Sequence, residues 1–468
     1  MSHSNDSAAA KRIRGLLDKD SFVELGALVT ARSTDFNLSD RETPGDGVIT
    51  GYGTVGGRLV YVYSQDATVL GGSVGEMHAR KIVRLYQMAV RMGAPVIGLV
   101  DCAGLRLEEA SDALSAFGAL YRCQAFASGA VPQIQAVFGS CGGSMAVSTA
   151  MADFTFVEQE TGKIFIHSAN AVAGCTEASF DNASADYQAE QSGVADFVGT
   201  EEEIFKGIQD LLSVLPASFD EELPLEDSED SLNRLMEGAE GLSAAELVKC
   251  LSDDGFVVEP GACYGKRVMT AFIRMNGSCV GVIANADPEA CWKGLEKAAS
   301  FIKFCDAFSI PVLTLVNAEG FVKTEGTELH VAKQGAALAA AYALSTVPKI
   351  TVITGAAHGT AGNLFGSKGL GTDLVLAWPT ANIALMEAGN AVKVMYADEL
   401  EKAENKADLY NEKVAAYNAL QADACAAARR GFVDDIIEPS VTRKRVIAAL
   451  EMLYMKSEDR PAKKHSTI

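Results

Sequence analysis

The sequence Gly-Ala-Pro-Val-Ile-Gly-Leu-Val-Asp-Cys-Ala-Gly at 93–104 returns in altered form as Ile-Pro-Val-Leu-Thr-Leu-Val-Asn-Ala-Glu-Gly at 310–320. Each copy places a proline before a mostly apolar run and ends in a glycine turn, and corresponding residues lie 216 positions apart. A second segment, Val-Pro-Gln-Ile-Gln-Ala-Val-Phe-Gly at 131–139, has its counterpart at 347–355 with the same spacing of 216. This repeat indicates a duplicated domain, because solenoid repeats are only about 20–50 residues long.

The duplication also predicts the domain organisation. The chain has 468 residues, enough for two to four domains of about 100–200 residues each, and the repeat favours two. An acidic segment, Ser218–Glu240, separates the two copies and is typical of a solvated linker. We therefore predict an N-terminal domain over 1–235 and a C-terminal domain over 236–468.

Short apolar runs alternate with amphipathic stretches in each half. Val96–Val100 and Val312–Val316 are nearly continuous in apolar residues, which is typical of strands covered on both faces. His78–Met92 and Trp292–Phe308 carry their apolar residues at helical spacing. The order of strand, helix and strand predicts an α/β fold with a parallel sheet and right-handed crossovers.

Composition excludes several classes of function. The chain has 40 Lys and Arg against 61 Asp and Glu, a net charge of −21, whereas a nucleic-acid partner would require clustered cations. No apolar run approaches the roughly 20 residues that a membrane span needs. Residues Met1–Arg14 also lack the apolar core of a signal peptide. We therefore expect a soluble cytoplasmic protein without direct membrane insertion or nucleic-acid binding.

Small residues follow two predicted strands in each half. The turns are Asp101–Gly104 and Gly139–Ser144 in the first half, and Asn317–Gly320 and Gly355–Ala361 in the second. Ligands of α/β folds bind near the carboxyl ends of strands, and backbone amides at a helix start can stabilise an oxygen anion. A glycine-rich turn can equally serve helix–sheet packing. Its occurrence twice, at matching places, predicts two oxyanion holes.

The sequence offers no conventional catalytic base. No Ser-His-Asp order, HExxH or P-loop is present, and no cysteine pair has zinc-ribbon spacing, so we predict no metal site. His78 and His167 fit packing roles at least as well as catalytic ones, while His358 adjoins the second predicted hole. The reaction is therefore expected to take its base from a cofactor or co-substrate.

Several long motifs resemble those of the biotin-dependent acyl-CoA carboxyltransferases. The motifs are Thr43–Arg58, Ser64–Lys81, Phe304–Pro311, Val347–Ile353, Gly366–Asp373 and Arg430–Pro439. The resemblance extends over roughly 12–455. The family that the motifs resemble includes the β subunits of propionyl-CoA and acetyl-CoA carboxylases. It also includes the carboxyltransferase subunits of methylmalonyl-CoA and glutaconyl-CoA decarboxylases.

The resemblance implies two tandem crotonase-like domains of the ClpP/crotonase β-β-α superhelix type. It implies that the N-terminal domain binds a coenzyme A thioester and the C-terminal domain binds biotin. The activity would move a carboxyl group between biotin on a separate carrier protein and the acyl-CoA, through an enolate stabilised by backbone amides. The implied partners are a biotin carboxyl carrier protein, a biotin carboxylase or membrane decarboxylase subunit, and further copies of the chain in a homohexamer.

The resemblance also assigns site residues, which follow from matching the motifs position by position. The catalytic amide donors are Gly143, Ser144, Thr360 and Ala361. The substrate-binding residues are Ala103, Gly104, Arg106, Gly142, Gly359 and Asn363, the last at a position the family uses in substrate choice.

The family pattern is nearly lost between residues 160 and 190, and several glycines of the turns are replaced. Two explanations stay open: an enzyme with a different acyl-CoA substrate, or a low-activity paralogue that acts as a scaffold in a carboxylase complex. A carboxyltransferase subunit of a sodium-pumping acyl-CoA decarboxylase is a further alternative. A crotonase-type hydratase or isomerase would need paired glutamates at the holes, which the turns lack.

Overall fold

The acidic segment between the two copies contains the boundary between two units of the chain. The computed structural model describes residues 6–32, 38, 41–461, 463 and 468, and its units are Met1–Pro224 and Leu225–Ile468. The boundary lies shortly before the predicted one at 235/236. Within the described residues, no helix combines the length and apolar character required to cross a bilayer.

The first unit is built on one eight-stranded sheet. Its strands are β1 (Val23–Leu25), β2 (Val48–Val55), β3 (Arg58–Gln65), β4 (Val96–Cys102), β5 (Gln133–Gly142), β6 (Phe154–Glu158), β7 (Lys163–Phe165) and β8 (Phe197–Gly199). Its helices are α1 (Ala8–Leu16), α2 (Glu76–Met92), α3 (Ala110–Ala127), α4 (Ser144–Ala150), α5 (Ala185–Tyr187) and α6 (Glu201–Val214). The strand order is β1-β2-β3-β4-β5-β6-β8, and β7 pairs with the end of β5.

The second unit repeats this plan. Its strands are β9 (Val257–Val258), β10 (Val268–Met275), β11 (Ser278–Asn285), β12 (Glu289–Ala290), β13 (Val312–Ala318), β14 (Gly320–Phe321), β15 (Lys349–His358), β16 (Leu374–Ala377), β17 (Asn382–Ala384) and β18 (Asp435–Ile436). Its helices are α7 (Ala244–Leu251), α8 (Trp292–Ala307), α9 (Glu325–Leu344), α10 (Gly359–Leu364), α11 (Ala388–Met395), α12 (Ala397–Lys402), α13 (Lys406–Tyr417), α14 (Ala424–Arg429) and α15 (Thr442–Leu453). The main sheet has the order β18-β16-β15-β13-β11-β10-β9, with β17 on β15.

The sheets are mixed, so the prediction of a parallel sheet holds only from β3 and β11 onward. β2 and β3 form an antiparallel hairpin around Gly56-Gly57, and β10 and β11 form another around Asn276-Gly277. All four turn residues have positive φ, from 54° to 77°, as a two-residue hairpin of type I′ requires. The Asn-Gly and Gly-Gly pairs were the sequence signals for these hairpins.

Helix α2 shows how each crossover is fixed to its sheet. Its side chains Ile82, Leu85 and Tyr86 are almost fully buried and share one core with Val96 and Val100 of β4. Full burial of such a side chain contributes about 1.5–3 kcal/mol. The helix then ends at Gly93, whose φ of 63° and ψ of 50° form a left-handed cap. These contacts hold the turns at the carboxyl ends of β3 and β4 in place.

The duplication extends to individual hydrogen bonds. Asp153 accepts a hydrogen bond of 2.8 Å from the amide of Gln133, and Asp373 accepts one of 2.8 Å from the amide of Lys349. The two carboxylates differ in charge environment, because Asp373 also binds Lys456 Nζ at 2.8 Å. Burial raises the pKa of Asp153 to about 7, as expected of a carboxyl group without a cation.

This raised pKa predicts a pH-dependent stability. The folded chain holds the Asp153 proton more tightly than the unfolded chain, so this group favours folding at low pH and loses that contribution as pH rises towards 7. We expect Asp153→Asn to raise the thermal unfolding midpoint at pH 8 more than at pH 5. The matched variant Asp373→Asn loses its ion pair and should be destabilised at pH 8. An equal change for Asp153→Asn at both pH values would contradict the assignment.

Candidate active site

The first site lies where β4 and β5 end. Cys102, the last residue of β4, pairs with Cys141, the last residue but one of β5. A Cβ on Gly104, which has φ of 111°, would lie 3.0 Å from the carbonyl oxygen of Gly142, and one on Gly142 would lie 3.0 Å from the carbonyl oxygen of Ala103. The structure therefore brings together three of the predicted substrate-binding residues, in a turn too tight for larger side chains.

The amide of Gly143, which was predicted to donate to a ligand, is hydrogen-bonded within the protein. Its amide donates to the carbonyl oxygen of Phe165 in β7 at 2.8 Å, which leaves it unavailable to a ligand. Its φ of 55° and ψ of −123° turn the chain sharply into helix α4. Among the described residues, no acceptor is found for the next two amides, those of Ser144 and Met145. Two adjacent amides without an acceptor are therefore those of Ser144 and Met145, one position after the predicted donors Gly143 and Ser144, whose role stays a prediction.

Surrounding contacts hold this turn in place. The Tyr121 hydroxyl donates to the carbonyl oxygen of Ser144 at 2.7 Å. The amide of Ala146 donates to the carbonyl oxygen of Gly143 at 3.1 Å. Met145 is fully buried, so its side chain anchors the first turn of α4 in the core. A helix start with free amides attracts negative charge, because its unpaired N–H groups point outward.

The second site has the same geometry at the ends of β13 and β15. Ala318 pairs with Ala357, and Gly359, with φ of 52°, turns the chain into helix α10. In the part of the chain that the structure describes, the amides of Thr360 and Ala361 have no acceptor. These residues lie 216 positions after Ser144 and Met145. The amide pair of Ser144 and Met145 and the predicted second pair are therefore at equivalent positions in the repeat.

Two other predicted residues of the second site have distinct surroundings. A Cβ on Gly359 would lie 2.7 Å from the carbonyl oxygen of Leu385, so only glycine fits there. Asn363 is exposed on α10, one turn after Gly359. His358 is buried, and its Nε2 lies 2.8 Å from Asn382 Oδ1 on β17. This contact ties His358 to the neighbouring strand.

Asp101 and Asn317 begin the first turns of the two halves, and neither was among the predicted site residues. Asn317 Oδ1 accepts a hydrogen bond of 2.9 Å from the amide of Ala356, and the Asn317 amide donates to Asn285 Oδ1 at 3.1 Å. Asp101 occupies the equivalent position, and its amide donates to Gln65 Oε1 at 3.3 Å. These polar side chains follow the last residues of the apolar runs in both repeats, and that pattern was the available signal.

Arg106 forms buried ion pairs inside the first unit. Its side chain is fully buried and binds the carboxylates of Asp46 and Glu109, the latter at 2.8 Å. Its NH2 also donates to the carbonyl oxygen of Ser73 at 2.6 Å. Burial raises the pKa of Asp46, and the nearby guanidinium opposes that effect. The guanidinium of Arg106 therefore holds the segment beside Gly104, and its predicted role in substrate binding stays a prediction.

The divergent stretch between 160 and 190 supports the first turn. Gln188 Nε2 donates to the carbonyl oxygen of Ile164 at 3.0 Å and to that of Asn182 at 2.7 Å. The amide of Ile164 in turn donates to the carbonyl oxygen of Ala183 at 3.0 Å. These bonds fix β7, which carries the Phe165 carbonyl that binds Gly143. The loss of the family pattern here leaves the turn intact.

Comparison with known proteins identifies the family. The profile described as the carboxyl transferase domain matches residues 3–468. The chain belongs to this family. It is 38% identical to methylmalonyl-CoA decarboxylase subunit alpha of Propionigenium modestum, over 99% of the chain and 93% of that protein. It is 39% identical to the propionyl-CoA carboxylase carboxyltransferase subunit of Haloferax mediterranei, over 98% of the chain and 93% of that protein.

Solved structures give the same result for the fold. Transcarboxylase 12S, crystallised as a hexamer with methylmalonyl-coenzyme A and methylmalonic acid bound, superimposes with a TM-score of 0.94 at 34% identity. The alignment covers 98% of the carboxyl transferase chain and 91% of transcarboxylase 12S. The predicted family and the predicted crotonase-like α/β fold are thereby confirmed.

Proposed function

We propose that the chain is a carboxyltransferase subunit that moves a carboxyl group between biotin on a separate carrier protein and an acyl-CoA. One observation carries this proposal: two equivalent pairs of free backbone amides, Ser144 with Met145 and Thr360 with Ala361, each at the carboxyl ends of its own sheet. Both partners of such a transfer develop negative charge on a carbonyl-type oxygen, so two sets of preorganised donors match two substrates.

The first unit is proposed to bind the acyl-CoA. The amides of Ser144 and Met145 would donate to the thioester oxygen as the α-carbon loses its proton and the enolate forms. Ala103, Gly104 and Gly142 line the turn with backbone, which lets the thioester approach closely. Arg106 acts as a positioning residue for this turn through its buried ion pairs.

The second unit is proposed to bind biotin. The amides of Thr360 and Ala361 would donate to the ureido oxygen, and Gly359 gives the backbone its sharp turn beside them. Bound carboxybiotin supplies carbon dioxide and then a nitrogen base for the α-proton, which agrees with the lack of a sequence motif for a protein base. Asn363, exposed on the same helix, is proposed to contribute to substrate choice.

The proposed partners follow from this chemistry. A biotin carboxyl carrier protein would deliver the carboxyl group, and a biotin carboxylase or a membrane decarboxylase subunit would complete the pathway. A homohexamer is supported by the likeness to transcarboxylase 12S, which assembles as a hexamer. Decarboxylation is the second candidate direction, because the methylmalonyl-CoA decarboxylase subunit is as similar to this chain as the carboxylase subunit.

The direct test is transfer of labelled carboxyl groups. Purified protein is incubated with a carboxylated biotin carrier and a panel of acetyl-, propionyl- and longer acyl-CoAs, and the label in the thioester is counted. We expect transfer to at least one acyl-CoA, and the reverse reaction from its carboxylated product. Turnover of an enoyl-CoA without biotin would instead indicate a hydratase. An absence of both activities, together with binding to an active homologue, would indicate the scaffold role.

A further inference from the structure

His78, in the first turn of helix α2, is fully buried in the first unit, and the proposed reaction assigns it no step. Its Nδ1 lies 2.9 Å from the carbonyl oxygen of Asp46, and its Nε2 lies 3.1 Å from Gln65 Nε2. A carbonyl oxygen only accepts hydrogen bonds, and the nitrogen of a glutamine amide only donates them. The ring is therefore neutral, with its proton on Nδ1 and a lone pair on Nε2 that accepts from Gln65.

Gln65, the last residue of β3, connects this histidine to the first site. Its Oε1 accepts a hydrogen bond of 3.3 Å from the amide of Asp101, and its Nε2 lies 3.9 Å from Met145 Sδ. Asp101 has no paired residue in β5, because the ladder is irregular at this position. A reversed Gln65 amide would point its nitrogen at the Asp101 amide, donor against donor. The lone pair of His78 therefore selects the orientation of Gln65 that holds Asp101.

The other end of this chain of hydrogen bonds is fixed by Arg106. The carboxylate of Asp46 binds the Arg106 guanidinium through Oδ1 and accepts a hydrogen bond of 2.7 Å from the amide of His78 through Oδ2. Arg106, Asp46, His78 and Gln65, here called the His78 network, are each at most 1% exposed. A buried polar network whose members are all paired is rigid, so the imidazole is held in one position.

The second unit forms the equivalent turn without a histidine. Asn285 Oδ1 accepts a hydrogen bond of 3.1 Å from the amide of Asn317, as in the first unit. The counterpart of His78, 216 positions later, is Gly294. Within the described residues, the buried Nδ2 of Asn285 has no hydrogen-bond partner. Because this fold makes the turn without the His78 network, we infer that the network serves the first site beyond folding.

We propose that His78 is a positioning residue for the first pair of free amides and acts through Gln65. With Gln65 held in one orientation, the turn that begins at Asp101 and the side chain of Met145 keep fixed positions, and Met145 carries one of the two amides. The inference rests on the proposed function, because it takes these amides as donors to the enolate oxygen. Preorganised donors need no rearrangement during the reaction, and a displacement of about 1 Å can lower a rate about 10²-fold.

Two substitutions separate the two hydrogen bonds of the His78 ring. In His78→Gln the side-chain oxygen takes the place of Nε2 and still accepts from Gln65, whereas the bond to Asp46 is lost. In His78→Asn the side-chain nitrogen takes the place of Nδ1 and still donates to Asp46, whereas Gln65 loses its acceptor. In the carboxyl-transfer assay, we expect His78→Asn to lower kcat about 10²-fold with little change in KM for the acyl-CoA. We expect His78→Gln to keep kcat within about threefold of wild type, because the bond to Gln65 is preserved.

An equal loss of kcat in both variants would overturn the proposal, because it would show that His78 only fills space. Normal kcat in both would overturn it as well. Gln65→Met, which is close to glutamine in size, removes the same hydrogen bond from the other side and should lose kcat to a similar extent. This variant keeps His78 in the core, so a folded Gln65→Met protein with normal kcat would overturn the proposal even where His78→Asn does not fold.

Hydrogen exchange at the Asp101 amide separates this inference from the proposed function. Exchange is followed by mass spectrometry on peptides that span residues 99–104, with no substrate added. We expect faster exchange in His78→Asn than in wild type or His78→Gln, because the hydrogen bond to Gln65 is weakened. Equal exchange in all three proteins would overturn the positioning role, whether or not carboxyl transfer occurs. An absence of transfer in the wild type, together with the expected exchange pattern, would count against the proposed function alone.

Discussion

Replacing Ser144 by proline should lower the rate of carboxyl transfer to the acyl-CoA about 10²–10³-fold, the usual effect of losing one oxyanion donor. Ser144 is the first residue of α4, and Gly143 before it has a positive φ of 55°. Proline is favoured at the first position of a helix, so this change removes the amide hydrogen while the turn is kept. The rate is measured at saturating acyl-CoA, and thermal unfolding checks that the variant is folded.

Ser144→Ala is the matched control, because it removes the hydroxyl and keeps the amide. We expect it to transfer carboxyl groups at close to the wild-type rate. The comparison therefore tests the backbone group and no other part of the residue. A folded Ser144→Pro enzyme with near-normal turnover would contradict the role of this amide, and an equal loss in Ser144→Ala would assign the effect to the side chain.

Replacing Thr360 by proline should lower the rate of the biotin half of the reaction by a similar factor, about 10²–10³-fold. Thr360 lies in the first turn of α10 and follows Gly359, which has φ of 52°. Proline is tolerated in a first helical turn, so the change again deletes one donor with little cost to folding. Thr360→Ala keeps the amide and serves as its control.

The two proline variants should fail at different steps. In the absence of acyl-CoA, release of carbon dioxide from a carboxybiotin substrate depends only on the second pair of amides. Ser144→Pro should therefore keep this partial reaction, whereas Thr360→Pro should lose both it and the full transfer. Loss of the partial reaction in both variants, with folding intact, would contradict the assignment of one substrate to each unit.

Much of the fold could be predicted because the apolar runs of the first half recur in the same order in the second half. Buried parallel strands such as β4 and β13 need continuous apolar sequence, and helices such as α2 and α8 need apolar residues at helical spacing. The hairpins that begin each sheet were missed, since an alternation of strand and helix was extended to the whole domain. Their turn residues, Asn276 and Gly277 among them, carried the missing signal.

The site was predicted less completely, because donor identity depends on pairing between strands distant in sequence. Gly143 is a donor by motif, yet its amide is taken by Phe165, and only the position of β7 decides this. Arg106 likewise matches a substrate-binding position of the motif, and the sequence does not show that the fold pairs its side chain with Asp46 and Glu109. Free amides are defined by the acceptors that they lack, and a sequence does not contain that information.

The most direct test of the two-hole account is a crystal structure of the chain with an acyl-CoA and biotin bound. The account predicts the thioester oxygen within about 2.7–3.1 Å of the amide nitrogens of Ser144 and Met145, and the ureido oxygen equally close to those of Thr360 and Ala361. It also predicts that the Gly143 amide stays bonded to Phe165. Either oxygen held by side chains, with these amides facing water, would contradict the account.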